Sequence, residues 1–219
     1  MPSRARTLAL LVACAAATLA LGGCADPWDA PHAAPSPIGT PAPGFLPTPA
    51  PTPAATVTPK AGSWNAVRPS PGYRVVLVTA GDDAATRTLV AAVQRWADAE
   101  EVDLRTLHVD DDLLAGIVEA IEAGPDLIVS AGETLVDPLE TVSANNLDRQ
   151  FLVIGAELAE PTENVTAVDW TGASYRGDDA ARASAFDATS FTSERAGAAV
   201  RAGVAAVLHD LTGVVLWID

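Results

Sequence analysis

Five short stretches hold most of the side chains that could do chemistry. They are "TAGDD" (Thr79–Asp83), "VDDD" (Val109–Asp112), "SAGE" (Ser130–Glu133), "GAE" (Gly155–Glu157) and "DWT" (Asp169–Thr171). Each closes a short apolar run. Glycine lets a backbone approach a ligand closely, and carboxylates accept hydrogen bonds from hydroxyls or amines. The candidate ligand-binding residues are therefore Asp82, Asp83, Gly132, Glu133, Glu157, Asp169 and Trp170. The competing explanation is structural, because Asp and Gly are also the residues of turns and helix caps.

Catalytic patterns are missing. The sequence has no G-x-x-x-x-G-K-[ST], no G-x-G-x-x-G, no G-x-S-x-G and no H-E-x-x-H. His32, His108 and His209 are scattered and form no metal-ligand spacing. The expectation is a protein that is not an enzyme, with no catalytic residue, no metal and no cofactor.

The elements that must carry these residues alternate. "YRVVLVTA", "DLIVSA", "FLVIGA", "NVTAVDW" and "TGVVLWID" are near-continuous apolar runs, as strands buried on both faces require. "VDLRTLHV" alternates like an edge strand. Between them lie helical stripes: Leu89, Val93 and Trp96 within 84–100; Leu113, Leu114, Ile117, Val118 and Ile121 behind an Asp110–Asp112 cap; and Val200, Val204, Val207 and Leu208 behind Thr192 or Ser193. Asp137-Pro138 reads as an N-cap followed by proline at the first helical position. Strands separated by helices imply right-handed βαβ units. The predicted fold is α/β, a doubly wound parallel sheet of five or six strands with helices on both faces. The polar stretch "TGASYRGDDAARASAFDATS" (171–190) interrupts this rhythm and reads as an exposed loop with some local helix. In such sheets ligands bind beyond the carboxyl ends of the strands, near the point where strand order reverses.

The N-terminus carries Arg4 and Arg6, then the apolar "LALLVACAAATLALGG", too short for a comfortable membrane span. It ends in "LGGC" (Leu21–Cys24), which resembles a bacterial lipobox; the alternative is an ordinary signal peptide with an incidental cysteine. On the first reading residues 1–23 are a signal peptide and Cys24 is lipidated, which places the protein on the cell membrane, lipid-anchored and facing outside the cytoplasm. Cys14 leaves with the signal, so no thiol remains for a disulfide, a metal or a nucleophile. Without Arg4 and Arg6 the chain has 11 basic against 28 acidic residues, a net charge of −17. Nucleic acid and anionic headgroups are excluded as partners, because both need a basic face.

Residues 24–72 hold the lipidated Cys and a Pro-rich stretch with 13 of the 17 prolines. Proline fixes φ and removes a donor, so a polyproline II stalk reaching roughly 150 Å is expected, with a Pro-rich peptide ligand as the alternative. The folded domain is then expected over 73–219.

At "DLIVSAGETLVDPLETVSANNLDRQFLVIGAELAEPTENVTAVDW" (126–170) and "SERAGAAVRAGVAAVLHDLTGVVLWID" (193–219) the sequence resembles the basic membrane protein family of substrate-binding lipoproteins, also called purine-nucleoside-receptor-like. The resemblance implies a periplasmic-binding-protein-like lobe of type I, a nucleoside-like small-molecule ligand, and an ABC permease as partner. It also implies that the strand within "TGVVLWID" begins a second lobe, so that 73–219 corresponds to the first lobe alone, completed, if at all, by a homodimer. The chain departs from the family in two places. Ala84-Ala85-Thr86 stand where the family has serine-phenylalanine-asparagine, with no aromatic to stack on a base, and the stretch around Tyr175–Ser190 is an insertion. A non-transport interaction module of the cell envelope is the alternative to a solute receptor.

Overall fold

The computed structural model describes Asp26, Trp28 and residues 30–173, 175–178 and 181–218. Cys24 and the expected signal peptide lie outside the described residues. The chain divides into two compact units, Met1–His32 and Ala33–Asp219. Of the first, the Trp28 amide donates to Asp26 Oδ1 at 3.0 Å.

The second unit runs β1 (Pro37–Ile38), β2 (Thr56–Val57), β3 (Arg68–Pro69), β4 (Arg74–Thr79), α1 (Ala84–Ala99), β5 (Asp103–His108), α2 (Leu113–Glu122), β6 (Leu127–Ala131), α3 (Val136–Ala144), β7 (Phe151–Ile154), β8 (Val165–Asp169), α4 (Ser193–Leu208) and β9 (Val214–Trp217). A 3-10 turn, Ala188–Ser190, precedes α4. The main sheet has seven strands in the order β2-β9-β8-β7-β6-β4-β5, all pairs parallel. This is the α/β doubly wound sheet expected, with a seventh strand beyond the five or six predicted, because β2 comes from the Pro-rich stretch. β4, β6, β7 and β8 are buried along their whole length, whereas β5 alternates and forms one edge.

The register sorts the sheet's side chains. Val75, Leu77, Val129, Leu152, Ile154, Val168 and Leu216 fall on one face and join a single core with Leu89, Val93 and Trp96 of α1 and Ala199, Val200 and Val204 of α4. Helices α1 and α4 therefore pack together on this face, and α2 and α3 pack together on the other. Chain direction then decides the hand of each crossover. β5 lies to one side of β4, while β6, β7, β8 and β9 extend to the other. A helix on the α1 face between β8 and β9 gives that crossover the opposite hand to β4-α1-β5, against the expectation that all are right-handed. The cause is the 171–190 segment, which carries the chain across the strand ends before α4 begins.

The expected caps form at two helices: Asp112 accepts from the Ala115 amide and Thr192 from Arg195. At α1 the cap is Asp83, one of the candidate ligand residues, which accepts from the Ala85 and Thr86 amides. At α3 the structure differs. The helix begins at Val136, its cap position is Leu135, and Asp137 lies in the first turn, where its carboxylate takes the Tyr175 hydroxyl and the Asp178 amide instead of capping.

The larger correction concerns the Pro-rich stretch. Residues 33–72 belong to the same compact unit as the sheet, so the expected boundary at residue 73 does not hold. Phe45, Trp64 and Val67 are buried in the α1/α4-side core with Tyr73. Thr56 and Val57 pair with Val215 and Leu216, making β2 the outer edge of the sheet. The β9 strand is thus flanked on both sides, by β8 and by the Pro-rich segment. The reason is spacing: Thr56 and Val57 sit in a proline-free window between Pro53 and Pro59, so the Val215 amide can donate to Ala55 O at 3.0 Å and the Ala54 amide to Gly213 O at 2.8 Å. Among the described residues no helix is long and apolar enough to cross a membrane.

Candidate ligand site at the switch point

The strand order reverses between β4 and β6, whose neighbours β5 and β7 lie on opposite sides. A cavity of about 380 Å³ opens there, at the carboxyl ends of β4, β6 and β7. Its floor is Asp83–Thr86 at the start of α1, with Gly132, Glu133 and Gly155. Its far wall comes from the 171–190 segment and the turn after it: Ala173, Phe186, Ala188 and Phe191.

Three of the seven expected ligand residues, Asp83, Gly132 and Glu133, line this cavity. Asp83 is already engaged. Besides two amides it accepts the Thr86 hydroxyl at 2.5 Å. Burial nudges its carboxyl upward, but the hydrogen bonds from Thr86 and Ala85 outweigh that and hold it below its ordinary value. Gly132 has φ +86° and Gly155 has φ +76°. A Cβ on Gly155 would stand 2.8 Å from Leu89 Cδ1 and 3.0 Å from Phe191 Cε1, so glycine there keeps the floor open. Glu133 Oε2 receives Arg182 Nη2 at 3.0 Å.

The other four lie elsewhere. Asp82 is exposed beside the cavity, and its carbonyl accepts from Arg87. Glu157 is buried and forms an ion pair with Arg176, Oε1 to Nε at 2.8 Å, without the alignment of a directed hydrogen bond. Burial pushes its carboxyl above the ordinary range, and Arg176 offsets part of the rise. Asp169 is fully buried and caps its own neighbour, accepting the Trp170 amide at 2.8 Å. Trp170 is fully buried beneath Gly155, donates from Nε1 to Ser190 Oγ at 3.0 Å, and meets Phe191 edge-on at 5.2 Å. It supports the cavity from below.

Sequence reasoning missed Phe186 and Phe191. Phe186 is 51 % exposed, its ring 5.7 Å from that of Phe191. The segment that carries it is not a loose loop. Arg176 on Glu157, Arg182 on Glu133, and the Tyr175 hydroxyl shared between Asp137 and Asp178 at 2.9 and 2.7 Å tie it across the strand ends. Arg182 also lies over the Tyr175 ring at 4.8 Å. The sequence signal was slight: Phe186 within a polar stretch and Phe191 directly after it. Among the described residues no cluster of three or more His, Cys, Asp or Glu could hold a metal ion.

No protein-family profile matches the chain, and no curated protein matches it. Solved structures do. A fragment designated a lipoprotein, from Peptoclostridium difficile 630, is 17 % identical over 64 % of this chain and 98 % of its own, with a TM-score of 0.45. An ABC transporter system solute-binding protein from Aeropyrum pernix K1 is 20 % identical over 45 % of this chain and 29 % of its own, at 0.39. Another from Conexibacter woesei DSM 14684 is 20 % identical over 46 % and 36 %, at 0.38. The chain spans about a third of the length of these two solute-binding proteins. The likenesses are partial and concern the fold alone.

Proposed function

We propose that the protein is an extracytoplasmic binding protein, anchored through lipid on Cys24, that takes a small neutral molecule of nucleoside type in the switch-point cavity and hands it to an ABC permease. The observation that carries this reading is the cavity itself: about 380 Å³, at the reversal of strand order, with two phenylalanines on one wall and hydrogen-bonding groups on its floor. That volume falls in the range of small-molecule sites, which combine apolar walls with a few polar groups. The charge of the ligand follows from what is already satisfied. A helix N-terminus attracts anions, but at α1 Asp83 already fills that role, and among the described residues no cation lines the cavity. A phosphate is therefore disfavoured, whereas a ring with hydroxyls suits Phe186 and the Thr86 and Glu133 oxygens. The aromatic surface missing from Ala84–Thr86 is supplied by the insertion.

The test is thermal unfolding of the full chain with adenosine, guanosine, inosine or uridine. A ligand at a hundredfold excess over its Kd adds about 2.7 kcal/mol, several degrees in Tm. A shift with one nucleoside that Phe186→Ala abolishes is the expected result; no shift with any of them sinks the nucleoside class.

A second reading, an envelope interaction module, has one observation in its favour. Leu114 and Val118 of α2 are 49 % and 43 % exposed, beside the open edge of β5. Sedimentation of the full chain decides it: a concentration-dependent dimer that Leu114→Ser dissolves favours this reading, and a monomer with bound nucleoside opposes it.

A further inference from the structure

A second cavity, of about 410 Å³, opens between the Pro-rich segment and α4, and it shares no lining residue with the switch-point cavity. Its walls include Trp64 and Asn65 from the segment, Glu194, Arg195 and Arg201 from α4, and Ile218 just beyond β9.

Charge is the first clue. The chain carries 28 acidic and 13 basic residues, yet two arginines and one glutamate line this space. Arg195 Nη1 donates to Ser190 O at 3.1 Å, which leaves most of its donors over. Neither Arg195 nor Arg201 forms an ion pair among the described residues, although Asp187 is near enough for its carboxyl to feel Arg195. A guanidinium offers five donors in a fork and no acceptor.

The second clue is Trp64. It is 4 % exposed, and its Nε1–H has no acceptor among the described residues. That nitrogen is shut off from solvent, so it is the indole ring and not its N–H that a ligand in the cavity can meet. The third is the apolar surface beside these donors, the Trp64 indole and the Ile218 side chain, itself only 4 % exposed.

Donors in excess, net positive walls and an adjoining apolar surface define one ligand chemistry. We infer that this cavity binds a small organic carboxylate, its two oxygens on the Arg195 and Arg201 guanidinium groups, its apolar body against the Trp64 ring and Ile218. A planar carboxylate matches the guanidinium fork, whereas inorganic phosphate has no apolar body to bury.

Benzoate is the probe, read through the Trp64 indole N–H resonance of the ¹⁵N-labelled full chain. The resonance is assigned by through-bond experiments, so no Trp64 variant has to fold. Benzoate should shift it saturably. Arg201 is exposed, so Arg201→Gln should leave thermal unfolding unchanged and raise the benzoate Kd about tenfold. Benzamide, the uncharged isostere, and inorganic phosphate should each leave the resonance in place. A Trp64 resonance that benzoate does not move overturns the inference. So does an equal response to benzamide, which makes the cavity merely apolar, or to phosphate, which makes it a site for charge alone.

Discussion

Phe45→Ala tests whether the Pro-rich segment is part of the folded domain. Phe45 is 1 % exposed, its ring 6.2 Å from that of Trp64, and both belong to the core under α1 and α4. Truncating a fully buried phenylalanine costs about 3–5 kcal/mol, from lost transfer energy and the cavity left behind. In a domain of this size each kcal/mol moves Tm by roughly 2–4 °C, so a drop of about 6 °C or more is expected. The neighbouring residue supplies the control. Leu46 is 45 % exposed, and Leu46→Ala should stay within about 0.5 kcal/mol of wild type. The assay is reversible thermal unfolding of the full chain followed by circular dichroism, where the sheet and helices report the loss. A free stalk makes both variants silent. If Phe45→Ala unfolds within 1 °C of wild type, the packing of this segment against the sheet is refuted.

Asp83→Ala removes the cap of α1 and should destabilise by about 1 kcal/mol in urea titrations at neutral pH. Because the folded-state pKa of Asp83 lies below its ordinary 3.8, this contribution is present above that value and fades as pH falls through the lowered one; a wild-type minus variant difference that grows on acidification contradicts the assignment. Glu157 has the opposite sign. Its folded-state pKa lies above the ordinary 4.5, so its stabilising effect is complete below 4.5 and is lost as pH rises through the raised value; Glu157→Gln should therefore gain on wild type as pH climbs through that window, and a pH-independent difference would show that Arg176 fully compensates the burial. Glu101 ends α1 with φ 53°, the Val102 amide donating to Ala97 O, and Glu101→Gly should raise stability by about 1 kcal/mol by removing the left-handed strain.

The sheet was legible because burial on both faces writes itself as unbroken apolar runs, and β4, β6, β7 and β8 each show one. Caps such as Asp112 and Thr192 were legible because their partners lie three residues away. The role of 33–72 was not. Proline forbids a ladder only where its own nitrogen is needed, and it says nothing about whether Phe45 or Trp64 finds a core to enter. The position of the switch-point cavity was legible from strand order, so Asp83, Gly132 and Glu133 fell together on its lining. Strand-end position does not say which way a side chain turns: Glu157 went under the insertion, and Trp170 continued the α1 face below Gly155. Phe186 came from a segment with no periodicity, and ties such as those from Arg176, Arg182, Tyr175 and the Asp187 amide to Gly172 O hold it over the cavity.

The proposed ligand of the switch-point cavity bears a ring that stacks on Phe186. Calorimetric titration of the nucleosides into the full chain, wild type against Phe186→Ala, tests it most directly. Stacking on an aromatic side chain contributes about 1–3 kcal/mol per base. One saturable site is expected, its affinity falling about tenfold or more in Phe186→Ala, with unfolding unchanged because Phe186 is half exposed. A nucleoside that binds both proteins equally, or neither, contradicts it.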